Sequence, residues 1–413
     1  MVNIIACLPI FKYIRNRTPV MKIRAIGLVC LGMSLALPLQ AGQYSADWRA
    51  FIKVVDEEYP FFDLKGIRED WRAAKPPLTK RAEACANDEE FLVVIRDALD
   101  CLRDGHAGFV KTRVPVPKQE AEFCLPLALM PADGKRVVVM SAPVGSPFHV
   151  GDEIRRIDGH PARNFLDTNG EALWRIGGAF SSPQRARLLA YRCPLRAREV
   201  TEHVLMIATA NGEREIRLKN DRASQGWAHV YNMPPDLQRA DGDCYYKKLK
   251  GGAGYLYVRR IQGDKTTRGI RSALESVPDA HGWIVDLRGN GGGGYDENLL
   301  QVVREIPRPV AVIVDAGCMS AGETLARDFR QLAKARIFGE KSAGASSAKR
   351  NWDFPGGIAT VVLPTRSRSD DGKPIEFYGI EPDVEVEAVP EEVASGANSE
   401  ILRAEEYLAT RKY

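Results

Sequence analysis

Residues 311 to 324 read AVIVDAGCMSAGET, a stretch suited to nucleophilic chemistry. A β-branched run feeds a turn of small residues at Ser320, and an amphipathic helical pattern leaves on the far side. A serine on such a strand-to-helix turn points its hydroxyl away from both elements. The free N–H groups and positive end of the following helix favour the negative charge that develops when the hydroxyl attacks a carbonyl. The same residues admit a plainer reading: Ser320 followed by Glu323 is also S-x-x-E, a helix capping box. A second stretch supplies what a nucleophile needs beside it. Residues 286 to 294, DLRGNGGGG, put four consecutive glycines before a helical pattern, where backbone N–H groups can be presented without side chains in the way. No Gly-Lys-Ser/Thr follows, which excludes a phosphate loop, whereas oxyanion donors next to Ser320 make chemical sense.

Both stretches must be positioned by the elements around them. From 252 onward strands and helices alternate: YLYVRRI, a helix with Ile270, Ala273, Leu274 and Val277 on one stripe, and WIVDL. A helix with Leu299, Val302, Val303 and Ile306 follows, then PVAVIV, a helix bearing Leu325, Phe329 and Leu332, and the strand RIFGE. Such alternation implies a largely parallel sheet covered by helices, with active sites at the carboxyl ends of strands. The glycine run and Ser320 both fall at those ends.

Residues 44 to 103 read as helices, the clearest beginning at Asn87 with Glu90 as its capping partner. It carries Phe91, Ile95, Ala98, Leu99 and Leu102 on one face and ends at Asp104-Gly105-His106. From about 120 to 219 the pattern changes to short strands: CLPLALM, RVVVMSA, and VLMIATA followed by a turn and REIRLK. With VGDEIRRIDGHPA between them, this region resembles a PDZ domain at Gly151, Asp152, Ile154, Ile157, Asp158 and Gly159. PDZ-like domains bind peptide ends by strand addition. The glycine-rich carboxylate loop is not evident near Leu125 to Leu129, so peptide capture and a structural or gating role both stay open.

Composition sets the outer bounds. The 413 residues are 45% hydrophobic and 27% charged, a globular composition with room for two or three domains. The net charge of +4 is interspersed, which argues against a nucleic-acid partner. From Met21 the chain reads MKIRAIGLVCLGMSLALPLQA: a basic start, an apolar stretch from Ala25 to Leu37, and Ala41 before Gly42. This predicts a cleaved secretory signal over residues 1–41, with Met21 as an alternative start, and export to the periplasm. The apolar stretch is short of the ~20 residues a spanning helix needs, so no stable membrane insertion is expected after cleavage. Lipid anchoring through Cys30 is disfavoured by Val29, where a smaller residue is usual. No CxxC or CxxH spacing suggests a metal. Cys85 and Cys101 flank a helix whose ends lie roughly 20 Å apart, so they should not bond each other.

DLRGNGGG, a strand ending in SAGE, FGEKSAG and YGIEPDVEV, in that order behind a PDZ-like region, resemble the C-terminal processing or tail-specific serine proteases. The resemblance implies a multidomain α/β protein with a crotonase-like (ClpP/crotonase) α/β core over 245–390. An N-terminal helical region over 44–115, a PDZ-like β-rich domain over 120–219 and a C-terminal helix over 391–413 complete it. It further implies hydrolysis of a polypeptide substrate by Ser320 through an acyl-enzyme and without a cofactor, with an oxyanion hole from the N–H groups of Ala321 and Gly292, Gly291 being the nearest alternative. Where the better-known branch carries its catalytic lysine this chain has Ala345, and Lys341 occupies a non-catalytic lysine position. LRDGHAGF, residues 102 to 109, instead resembles the histidine segment of the tricorn-core-like branch, which uses serine, histidine and glutamate. His106 is then the general base and Glu376, in PIEFYGIEPDVEV, its supporting carboxylate, with Glu323, Glu381 and Asp383 as rivals. Two other readings remain open: a non-catalytic ligand- or peptide-binding protein on the same fold, and a latent protease activated by domain movement.

Overall fold

Two runs of consecutive buried residues, Trp283–Asp286 and Val310–Val314, form the centre of a seven-stranded sheet. Strands without a polar face must be covered on both sides, which is the condition of a parallel sheet. The computed structural model describes residues 43–178, 180–209, 212–223 and 233–411; the expected leader, Met21 and Cys30 lie outside them. Strands Gly254–Val258, Trp283–Asp286, Val310–Val314, Arg336–Gly339 and Val384–Glu385 run parallel. Cys244–Lys248 and Gln238–Arg239 extend one edge antiparallel.

Among the described residues, the amino-terminal part has four helices: α1 (Ser45–Glu58), α2 (Phe62–Lys65), α3 (Arg68–Ala84) and α4 (Asp88–Asp100). Asn87 caps α4, its Oδ1 accepting the Glu90 N–H at 2.9 Å. Trp48, Phe51, Trp71, Phe91 and Ile95 from these helices share one core with Phe354, Ile358, Val361 and Leu363. Those four residues come from or beside the hairpin Ser347–Asp353 and Ala359–Ser367, which also pairs antiparallel with Gly108–Thr112. The amino-terminal helices are thus packed on a hairpin from far along the chain. The hairpin carries charges at Lys349, Arg350, Asp353 and Arg366, which hide its strand pattern in the sequence.

Between 123 and 223 the expected strands are present, with helices α5 (Ala162–Ile176) and α6 (Pro183–Arg192) among them. Strands Ala128–Ala132 and Arg136–Ser141 pair, and Ile154–Ile157, Glu202–Thr209 and Gly212–Lys219 form an antiparallel sheet. Leu129, Val139, Ile154, Leu166, Tyr191 and Leu205 fill their common core.

Side chains alternate across the central sheet. Leu256, Trp283, Val285, Val312 and Ile337 face α7 (Asp264–Ser276), α8 (Asn298–Glu305) and α9 (Ala321–Ala333), through Ile270, Val302 and Phe329. Tyr255, Ile284, Ala311, Ile313 and Phe338 face the other way. After the short α10 (Pro390–Ala394), α11 (Ser399–Ala409) lays Ile401, Ala404 and Leu408 on that second face. The helix expected as a separate carboxyl-terminal element is therefore a layer of the core, because the sheet's second face would otherwise expose a row of apolar residues to water.

Candidate active site

Ser320 sits where the Val310–Val314 strand has turned and α9 begins. Its backbone, φ 58° and ψ −121°, lies in a region L-residues avoid, at a cost of order 1–3 kcal/mol that surrounding contacts must hold in place. Those contacts are visible. The Ser320 N–H donates to Ala345 O at 2.9 Å and to Glu323 Oε2 at 3.1 Å. Met319 N–H donates to Asn290 O at 2.9 Å, and Asp315 Oδ1 accepts from Gly289 and Gly317. Strand end, glycine loop and nucleophile turn are thereby tied together.

Glu323 does more than cap. It is fully buried and also accepts from Ser342 Oγ at 2.6 Å, Gly344 N at 2.7 Å and Ala345 N at 3.0 Å. Burial pushes its carboxyl up to about 7, against the pull of those donors. Lys341, by contrast, pairs at the surface with Glu381 at 3.2 Å, and Asp383 fixes a loop by accepting from Ile337 N at 2.7 Å.

His106 reaches the serine from 214 residues away in sequence, with Nε2 2.9 Å from Ser320 Oγ. The imidazole lies in the loop between α4 and the Gly108–Thr112 strand. Its backbone N–H donates to Asp104 Oδ1 at 2.9 Å, and Gly105 N–H to Ser181 Oγ at 2.9 Å. On the other side of the ring Nδ1 meets Ser347 Oγ at 3.3 Å, so a proton on Nδ1 leaves the Nε2 lone pair for the Ser320 hydroxyl. Burial first, then the Lys349 charge, lower the imidazole to about 4, against the attraction of Asp104. The ring is neutral at neutral pH.

Two expectations need correction. Glu376 does not meet the imidazole: its Oε1 is 2.9 Å from Lys65 Nζ, which in turn lies 2.6 Å from Asp104 Oδ2. All three side chains are fully buried, and Tyr59 also donates to Asp104 Oδ2 at 2.9 Å. A buried ammonium requires compensating carboxylates, so Lys65 draws both to itself. Burial and then the Asp104 charge raise Glu376, against Lys65; Asp104 is held low by Lys65 despite its burial. The second correction concerns Gly292. Its N–H is spent on Asn290 Oδ1 at 2.9 Å, so it is not free to donate to an oxyanion. What Gly292 supplies is room, since a Cβ there would stand 2.7 Å from Ser320 Cβ. Ala321 occupies the first position of α9, where an N–H has no carbonyl of its own helix to bond, and Gly291 faces open space.

Asp104 stands two residues before His106 in the same motif and could have been weighed. Lys65 carries no such signal, because nothing local distinguishes a lysine that tertiary packing will bury.

Residues 299–386 match the pattern of Peptidase family S41. The chain carries a peptidase family S41 region. That S41 region contains Ser320 and Glu376, while His106, Lys65 and the glycine run precede it. The chain is similar to the carboxy-terminal processing protease CtpA of Bacillus subtilis (strain 168), 23% identical over 225 residues, covering 47% of this chain and 47% of the relative. It is also similar to a probable CtpA-like serine protease of Staphylococcus aureus (strain COL), 22% identical over 223 residues, covering 47% and 42%. The match spans about half the length of these relatives. Among solved structures, mature CPAF superposes with a TM-score of 0.57 at 15% identity, over 89% of this chain and 96% of that one. The likeness is one of fold, a mixed α/β architecture built around the S41 region.

Among the described residues no His, Cys, Asp and Glu gather in a group that could hold a metal ion, and no helix is long and apolar enough to cross a membrane.

Proposed function

We propose that this chain is an exported serine endopeptidase in which Ser320 is the nucleophile and His106 the general base. The observation that carries the reading is the 2.9 Å contact between His106 Nε2 and Ser320 Oγ, made across 214 residues by a neutral imidazole. As Oγ attacks the peptide carbonyl, its proton passes to Nε2, and the developing oxyanion is received by the N–H of Ala321, with Gly291 as second donor. The imidazolium returns the proton to the leaving amine; water then enters by the same route in reverse and frees the acyl group. The Asp104 carboxylate lies where it favours the transient cation, and Ser347 Oγ holds the ring. Glu376 acts indirectly, by sharing Lys65 with Asp104.

The central sheet with its helices corresponds to a crotonase-like core, and residues 120–219 to a PDZ-like domain. Support for the latter comes from the GDEIRRIDG segment, which forms a strand and a tight turn at Asp158 (φ 48°) and Gly159 (φ 81°). Export to the periplasm, after loss of the leader, fits the sequence between Met21 and Ala41.

The test is cleavage of an unfolded protein such as casein. Ser320→Ala and His106→Ala should each lower the rate by about 10³-fold or more; parental rates in either would overturn the assignment. A fluorophosphonate should label Ser320 in the parent, whereas a folded protein that resists labelling would be a carrier on the same scaffold.

A further inference from the structure

We propose that Cys124 and Cys193 form a disulfide when the chain folds in an oxidising compartment. Cys124 and Cys193 pack in the same small cluster, where each acts on the other's thiol more strongly than any other group does. Both are buried in one small apolar cluster with Leu189, flanked by Leu173 and Phe180. The backbone holds them there from both sides of Cys124. Phe123 and Ala197 exchange hydrogen bonds of 2.7 and 2.9 Å, and Leu125 N–H donates to Pro194 O at 2.9 Å. These bonds bring residues 194 and 197, just beyond Cys193, alongside residues 123 and 125. The remaining described cysteines are engaged elsewhere. Cys85 and Cys101 donate to carbonyls of their own helices, at Arg81 and Asp97, and Cys244 faces the carbonyls of Gly242 and Thr266. Cys318 is fully buried within the nucleophile turn itself.

The pair is also chemically poised. Hydrogen bonding from Cys193 lowers the Cys124 thiol while its partner is raised, so Cys124 is the one to ionise and attack. Its thiolate displaces one sulfur of an oxidant disulfide, either a small-molecule disulfide or that of a dithiol oxidase, and forms a mixed disulfide. Cys193 then loses its proton and displaces the second sulfur. Two protein thiols become one disulfide, and the oxidant leaves as two thiols.

The bond would fasten the carboxyl end of α6 to the Phe123–Cys124 strand. The other end of α6 already grips the active-site loop: Ser182 Oγ donates to Ala343 O at 2.6 Å, and Gln184 Nε2 to Ser342 O at 3.2 Å and Phe377 O at 3.0 Å. A disulfide here would therefore fix the helix that supports the segment holding Ser320.

The full chain, refolded in glutathione and glutathione disulfide, is alkylated without reduction and mapped by mass spectrometry. The expected result is one cross-linked pair of peptides containing Cys124 and Cys193, lighter by two hydrogens than the separate peptides and resolved by dithiothreitol. Alkylation of both cysteines before reduction, or linkage of either to another cysteine, would overturn the proposal. In a parallel measurement dithiothreitol should lower the Tm of the parent, while Cys124→Ser/Cys193→Ser shows the lower Tm with or without reductant. An equal response of parent and double variant would count against the bond. Neither readout depends on Ser320 being a nucleophile.

Discussion

Lys65 Nζ lies 2.6 Å from Asp104 Oδ2 with both side chains fully buried, and the same ammonium is 2.9 Å from Glu376 Oε1. Asp104 holds the His106 N–H through its other oxygen, so a cation on α2 governs the loop that presents the imidazole.

Removing that cation should be costly. Lys65→Met leaves the Asp104 carboxylate buried without its partner, and breaking one member of a buried ion pair typically costs about 3–5 kcal/mol. Denaturant unfolding should register this as a lower midpoint at unchanged slope. The triple variant Lys65→Met/Asp104→Asn/Glu376→Gln, which removes the charges together, should recover much of the loss. If Lys65→Met unfolds at the parental midpoint, the pair carries no stability.

The imidazole sets the acid limb of activity. His106 must be neutral to accept a proton, so kcat/KM should fall near pH 4 rather than near 6.5. Since Lys349 lowers the imidazole, Lys349→Met should move the limb upward. Stability follows the same sign: the unfolded chain binds a proton on His106 near pH 6.5 and the folded one only near 4. The contribution is complete above about 6.5 and is lost as pH falls through 4. An acid limb between 6 and 7 in the parent would contradict the buried, neutral ring.

Gly292 should tolerate no side chain. With φ 81° and a Cβ position 2.7 Å from Ser320 Cβ, Gly292→Ala strains the loop and displaces the nucleophile, and fluorophosphonate labelling of Ser320 should be lost. Gly294 is the control, because a Cβ there meets nothing within 4 Å. Gly294→Ala should label like the parent.

Glu323 should prove indispensable to the strained turn. It accepts four hydrogen bonds, three from backbone N–H groups. Glu323→Gln replaces one acceptor oxygen with a donor that faces other donors, at a cost of about 2 kcal/mol or more. Thermal unfolding and the casein rate should both decline; a fully active, equally stable variant would assign Glu323 a mere surface-type cap.

What the sequence determined is what depends on neighbours along the chain. The β-branched run into small residues at Ser320, the glycine loop at 286 to 294 and the helical stripes are short-range patterns. Strand, turn and helix obey them wherever they lie. Tertiary structure decided which groups meet. His106 reaches Ser320 because a charged hairpin, whose pattern conceals its strands, docks on the amino-terminal helices. Glu376 finds Lys65 instead of the imidazole, and the Gly292 N–H is spent on Asn290. Burial and competition for hydrogen bonds are properties of the packed whole: a lysine or an amide takes its partner from what surrounds it in space, and only folding brings those surroundings together.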